Sequence, residues 1–92
     1  MKKYLNHTFS TEDKELVSII DELPLWSAPF GLSLLNTIKL GNGFRVLDIG
    51  SGQGFPLIEI AQRLGESSMV FGIDLWKEAN ERASLKIKKY DL

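Results

Sequence analysis

The alternation of polar and apolar positions changes period several times along the chain, and each change marks an element. Residues 1–9 carry no period and predict a flexible lead-in, with His7 a solvated tail residue. From Ser10 the pattern turns helical. Ser10 can cap, Asp13 follows three residues later, and Leu16, Ile19, Ile20 and Leu23 fall at i, i+3, i+4 and i+7. This helix should end before Pro24, because the residue ahead of a proline is pushed out of helical conformation. "LPLWSAPFG" reads as a connector. "FGLSLLNTIKLGNG" reads as a second helix with Phe30, Leu34, Leu35 and Ile38 on one side, ended by Gly41 and Gly43.

The near-continuous apolar run in "FRVLDIG" (Val46, Leu47, Ile49) predicts a buried strand of the parallel-sheet kind rather than an alternating surface strand. Leu57, Ile60, Ala61 and Leu64 restore the helical spacing, with Pro56 suited to a first turn and Gly65 to the exit. "ESS" is a turn and "MVFGID" a second short strand ending in an acid. "LWKEANERASLKIKKY" then aligns Ala79, Ala83, Ile87 and Tyr90 on one helical face.

The predicted order is helix, helix, strand, helix, strand, helix. A strand-helix-strand unit implies a parallel pair with a right-handed crossover, hence an α/β layered fold. Two parallel strands leave both edges open and bury little, so the chain reads as the opening of a larger sheet and as the N-terminal part of a longer protein. Three segments are expected: the lead-in 1–9, a helical segment 10–43 and an α/β unit 44–92.

Composition narrows the chemistry. The 92 residues are 43% hydrophobic and 25% charged, ordinary values for one small globular domain. The formal net charge is -1, with -1 over residues 1–43 and 0 over residues 44–92, so no broad electrostatic footprint for nucleic acid is present. There are no cysteines, which excludes disulfides, thiolate metal sites and cysteine nucleophiles. No apolar stretch fits a secretory signal or a membrane span, and a soluble cytoplasmic protein without membrane partners is expected. The lysines of "LKIKKY" read as a solvated helix end that suits the helix dipole.

The stretch "VLDIGSGQGFPLIEIA" carries the candidate site. A chain leaving a parallel strand for a helix must turn sharply, and a ligand in the crevice there meets backbone rather than side chains. Gly50, Gly52 and Gly54, with Ser51 between the first two, allow positive φ and let N–H groups and the helix N-terminus approach a polar group. The dinucleotide pattern G-x-G-x-x-G would need glycine where Phe55 stands, and the phosphate-loop ending G-K-[ST] is absent. Asp74 lies 20 residues beyond Gly54, at the end of the next strand, where an acid can accept hydrogen bonds from both ribose hydroxyls.

"VLDIGSGQG" followed by "VFGIDLW" resembles motif I and the acidic-loop motif of class I S-adenosylmethionine-dependent methyltransferases, over about residues 44–90. The helical lead-in "LPLWSAPFGLSLLNTI" is similar to that of some bacterial methyltransferase-domain proteins. The resemblance implies a doubly wound, Rossmann-like methyltransferase sheet of which this chain carries the N-terminal portion, with S-adenosyl-L-methionine as cofactor. It implies that Gly50, Ser51, Gly52 and Gly54 lie beneath the methionine part of that cofactor, with Asp48 near its amino group. Asp74 would hold the ribose, and Leu75 and Trp76 would face the adenine. The later residue meeting the adenine amino group and the strand-four motif near the acceptor have no counterpart before Leu92.

The function expected is methyl transfer to an acceptor, with a small molecule favoured because no basic stripe is visible and with no residue assignable as a base. The alternative is a non-catalytic module that keeps the cofactor loop and pairs, with a second copy or a partner chain, through its open sheet edge. Asp48 has a further candidate role, accepting neighbouring loop N–H groups, and Trp26 and Phe30 could close over the site or anchor the connector. A nicotinamide dehydrogenase domain would have to tolerate Phe55 at a glycine position.

Overall fold

The computed structural model of the chain describes residues 8–22 and 27–92; His7, Leu23, Pro24 and Trp26 lie outside the described residues. The six elements come in the expected order: α1 (Lys14–Glu22), α2 (Ala28–Thr37), β1 (Arg45–Ile49), α3 (Leu57–Leu64), β2 (Met69–Ile73) and α4 (Lys77–Lys89).

Asp13, not Ser10, caps α1. Its Oδ1 accepts the amides of Glu15 at 2.9 Å and Leu16 at 3.4 Å, satisfying donors that a helix start leaves free and placing negative charge where the dipole favours it. Ser10 instead accepts the Asp13 N–H through its carbonyl, closing the turn ahead. The expected stripe is also rotated: Val17 is the buried residue, Leu16 and Ile20 are half-buried, and Ile19 is exposed. The face of α1 is chosen by α4, against which it packs.

α2 begins inside the expected connector, because Pro29 fits the first helical turn, where a missing N–H costs nothing. It ends at Thr37, ahead of Gly41. Its buried face is Gly31 and Leu35, with Ile38 half-buried, whereas Phe30 and Leu34, expected on that face, are exposed. Gly31 fixes this choice. A Cβ there would lie 2.1 Å from the Phe55 ring, so the aromatic at the end of the glycine stretch occupies the notch that the missing side chain leaves.

β1 and β2 pair in parallel, from Arg45 opposite Met69 to Ile49 opposite Ile73. At one end the "ESS" turn ties the strands together: Ser67 and Ser68 hydroxyls accept the amides of Gly43 and Phe44 at 3.3 and 3.0 Å. At the other end the Ile73 carbonyl accepts both the Gly50 and Ser51 amides, at 2.8 and 3.1 Å. Val46 and Val70 pack on Ile60 and Leu64 of α3 and Leu35 of α2, with Ile38 and Leu40 at the margin. α3 follows its expected stripe, adds Ile58 to it, and exits through Gly65 at φ 70°. In α4, Ala79 and Ala83 are buried as expected and Ile87 is half-buried, while Tyr90, expected on the same face, lies just past the helix and is exposed.

The opposite sheet face corrects the reading of β1 as a strand covered on both sides. Leu47, Ile49, Phe71 and Ile73 alternate with the covered positions and are exposed, Ile49 by 75%, and the Arg45 guanidinium lies 5.9 Å from the centre of the Phe71 ring. The residue types suit a two-sided layer, but no described element lies over this face. Among the described residues no helix is long and apolar enough to cross a membrane.

The two faces should respond differently to truncation. Leu64→Ala, which empties a core position, should cost about 2–5 kcal/mol in urea unfolding, whereas Ile49→Ala should cost less than about 1 kcal/mol. Equal losses would show that the bare face is covered in solution.

Candidate functional site

β1 and β2 end side by side, and the chain leaves each at the same edge of the sheet. After Ile49 the backbone turns through Gly50 (φ 79°), Gly52 (φ 52°) and Gly54 (φ 106°), conformations that side chains rarely adopt. The three glycines differ in purpose. A Cβ on Gly50 or Gly52 would meet nothing within 4 Å, so the space beside both is open, while one on Gly54 would press against Ile58 at 2.7 Å. Gly54 is a packing glycine that seats the loop on α3 and near Ala83 of α4.

Asp74, the first residue after β2, binds this loop directly. Its Oδ2 accepts the Gly52 amide at 2.8 Å and its Oδ1 accepts the Trp76 amide at 2.7 Å, so one carboxylate joins the glycine loop to the entry of α4. The Asp74 carbonyl also accepts the Asn80 side-chain amide at 2.7 Å. Each carboxylate oxygen retains acceptor capacity beyond the one bond it makes. Within the loop, Gly54 donates to the Ser51 carbonyl at 2.9 Å. Among the described residues the Gln53 and Phe55 amides have no acceptor, which leaves two donors in the loop for a bound group.

Asp48, two residues before Gly50, bonds to no loop amide, and its Oδ2 is buried without a partner. Burial, and then the nearby charge of Asp74, raises its pKa from the ordinary aspartate value. Ser51 is buried at the base of the loop, against Gly72 of β2, where a Cβ would come within 2.7 Å of the Ser51 hydroxyl and of Leu57. Gly72 is a site residue that the sequence reading missed; a lone glycine inside a strand is the signal of such close approach.

The structure thus brings together Asp48, Gly50, Ser51, Gly52, Gly54 and Asp74. Leu75 stands fully exposed beside them, at 105% of its reference area. Trp76 is half-buried, and its indole N–H donates to the Thr11 carbonyl at 2.6 Å, tying the segment before α1 to the entry of α4. Phe30 is exposed on α2. A cleft of about 890 Å³ runs between α3, β2 and α4, and its lining extends to Ser51, Ile73 and Asp74.

One lysine of "LKIKKY" departs from the reading of a solvated helix end. Lys86 donates to the Gln53 carbonyl at 2.9 Å and pairs with Asp21 of α1, which also accepts Arg82 Nε at 2.8 Å. Burial works to raise the Asp21 pKa, but hydrogen bonds from Lys86 and Arg82 and their positive charge outweigh it, and the net shift is downward.

The methyltransferase-domain family matches residues 40–92, more than half of the chain and the whole of the strand-loop-helix unit just described. The chain belongs to the methyltransferase-domain family. The resemblance of its glycine loop and strand-end acid to class I S-adenosylmethionine-dependent methyltransferases is borne out, as is an α/β fold matching the N-terminal portion of the Rossmann-like methyltransferase sheet. A methyl-donor cofactor follows from membership.

Among curated relatives, the chain is 28% identical over 80 residues to the probable cobalt-precorrin-6B C(15)-methyltransferase (decarboxylating) of Sulfurisphaera tokodaii, covering 87% of this chain and 41% of that protein. It is 33% identical over 57 residues to the protein of that name from Thermoplasma acidophilum, covering 62% of this chain and 28% of that protein. It is 31% identical over 81 residues to a protein-L-isoaspartate O-methyltransferase of Methanococcoides burtonii, covering 80% of this chain and 40% of that protein. The chain therefore spans well under half the length of these relatives. No solved structure matches it at a significant level.

The two shifted aspartates predict opposite pH responses. A carboxyl whose folded pKa is raised favours the fold below its unfolded pKa and loses that contribution as pH rises through the folded value. Asp48→Asn should therefore raise the urea midpoint at pH 7 and gain little at pH 3. Asp21, shifted down, stabilises above its unfolded pKa and loses this as pH falls, so Asp21→Asn should lower the midpoint at pH 7. Unfolding of both variants across pH 3 to 7 checks the pair of signs; a destabilised Asp48→Asn at pH 7 would mean its carboxylate is paired.

Proposed function

We propose that the loop and Asp74 bind S-adenosyl-L-methionine, and that the chain serves a methyltransferase that passes the sulfonium methyl to an acceptor nucleophile. The observation that carries this reading is the junction at the sheet edge: a carboxylate anchored on the Gly52 amide, two unbonded loop amides, and open space beside Gly50 and Gly52. A carboxylate at the end of the second strand suits a ribose diol, because it offers acceptors to both hydroxyls. The unpartnered, buried Asp48 oxygen suits an ammonium group, whose approach would return its raised pKa toward the ordinary range.

When bound, the cofactor supplies an activated methyl on sulfur. The chain's own residues do the rest by holding and orienting it: Gly50, Ser51, Gly52 and Gly54 shape the floor, Asp74 and Asp48 take its polar groups, and Leu75 and Trp76 offer apolar surface to the base. Rate enhancement then comes from alignment and exclusion of water, and no residue of this chain is assigned as a base. A small-molecule acceptor is the favoured reading, given the balanced charge. The named relatives act, by their names, on a cobalt-precorrin and on protein isoaspartate, so they leave both acceptor classes represented.

A second reading keeps the non-catalytic module but moves the pairing surface from the open strand edge to a sheet face, that of the exposed Leu47, Ile49, Phe71 and Ile73 covered by a second copy. Calorimetric titration with S-adenosylhomocysteine separates the two. Micromolar-range binding is expected, abolished in Asp74→Ala and weakened about tenfold in Leu75→Ser, a fully exposed position whose loss leaves the unfolding midpoint unchanged. A folded chain that does not bind, or one whose affinity neither variant alters, overturns the cofactor reading; concentration-dependent dimers without binding favour the module.

A further inference from the structure

We propose that Lys86 is a positioning residue for the cofactor loop, through which α1 and α4 together set the loop from behind; this rests on the cofactor reading above. The Lys86 ammonium donates to the Gln53 carbonyl at the middle of the glycine stretch and pairs with Asp21, so a loop carbonyl, a helix cation and a carboxylate from an element 65 residues away form one chain of contacts. All of it is sheltered: the Asp21 side chain is 14% exposed and that of Lys86 25%, which limits screening by water.

The effect on the loop follows from peptide geometry. The Gln53 carbonyl and the Gly54 amide belong to one planar trans unit and point in opposite directions. Lys86 takes the carbonyl and Ser51 takes the amide, so that peptide is fixed at both ends. On the other side of Gln53, the Gly52 amide is fixed by Asp74. The unbonded Gln53 amide is thereby held between two anchored neighbours, aimed without being used, in a loop whose glycines would otherwise rotate freely. Asp21 neutralises the ammonium that would otherwise be half-buried beside the loop, and Arg82 orients Asp21 without touching the loop.

This division provides its own control. Arg82→Gln removes a bond to the same Asp21 and weakens the α1 contact, yet leaves Lys86 on the loop. Lys86→Gln removes the loop contact itself, and Lys86→Arg keeps a donor and a charge. Two readouts apply to the full chain: calorimetry with S-adenosylhomocysteine, and hydrogen exchange of the Gly52 and Gly54 amides without ligand. Lys86→Gln should weaken binding about tenfold and speed Gly54 exchange, Arg82→Gln should keep affinity within about twofold, and Lys86→Arg should restore most of the loss. Unchanged affinity and exchange in Lys86→Gln, or an equal loss in Arg82→Gln, overturns the proposal. Should the parent chain fail to bind the probe, the cofactor reading falls, while faster Gly54 exchange in Lys86→Gln alone, against Arg82→Gln, still upholds the loop-setting contact. If Lys86→Gln does not fold, Lys86→Met, which keeps the aliphatic stem and loses the donor, replaces it in the same exchange measurement: faster Gly54 exchange than in Arg82→Gln upholds the proposal, and equal exchange overturns it.

Discussion

The Asp74 carboxylate joins the two segments that leave the strands at the same end of the sheet. One oxygen holds the Gly52 amide and the other holds the Trp76 amide, so the turn after β1 and the entry to α4 share an anchor. Without that bond the Gly52 amide would lose its acceptor, and the middle of a loop built of glycines with positive φ would lose one of its restraints. The strand ladder prepares the junction, since the Ile73 carbonyl already gathers the Gly50 and Ser51 amides. Lys86 completes it from the rear, where the Gln53 carbonyl lies. A fold that ties this end of the sheet therefore gathers carboxylate acceptors and unbonded amides in one place, the place proposed for the cofactor.

The sheet that carries this edge is covered on one side. Val46 and Val70 have α3 and Leu35 above them, whereas Leu47, Ile49, Phe71 and Ile73 face outward among the described residues. Apolar residues on both faces are the pattern of a sheet layered on both sides. The chain spans 28 to 41% of the length of the curated relatives it matches, and the described helices cover one of the two faces of its strand pair.

Much of this was legible from local pattern. The glycine spacing, Asp74 at the next strand end, the α3 stripe and the Gly65 exit each depend on a short window of residues, and each was found where expected. What failed depended on distant partners. Val17 rather than Ile19 is buried because α4 chooses the face of α1, and several apolar residues in a row cannot say which of them will be chosen. Asp13 outcompeted Ser10 as a cap because its carboxylate reaches two amides of the first turn. Phe30 gave way to Gly31 because the Phe55 ring needed the notch. Among the lysines near the end of α4, only the placement of Asp21 and the loop distinguishes Lys86 from Lys88 and Lys89, and neither lies within its window.

The central claim is that the edge formed by residues 48–55 and 74–76 is the cofactor's seat, and amide resonances of the 15N-labelled chain titrated with S-adenosylhomocysteine test it most directly. The largest shifts should fall on Gln53 and Phe55, whose amides are unbonded, and on Gly52 and Leu75 beside them. Shifts concentrated on Leu47, Ile49 and Phe71 of the bare sheet face, or a folded spectrum that does not move at all, would contradict the account.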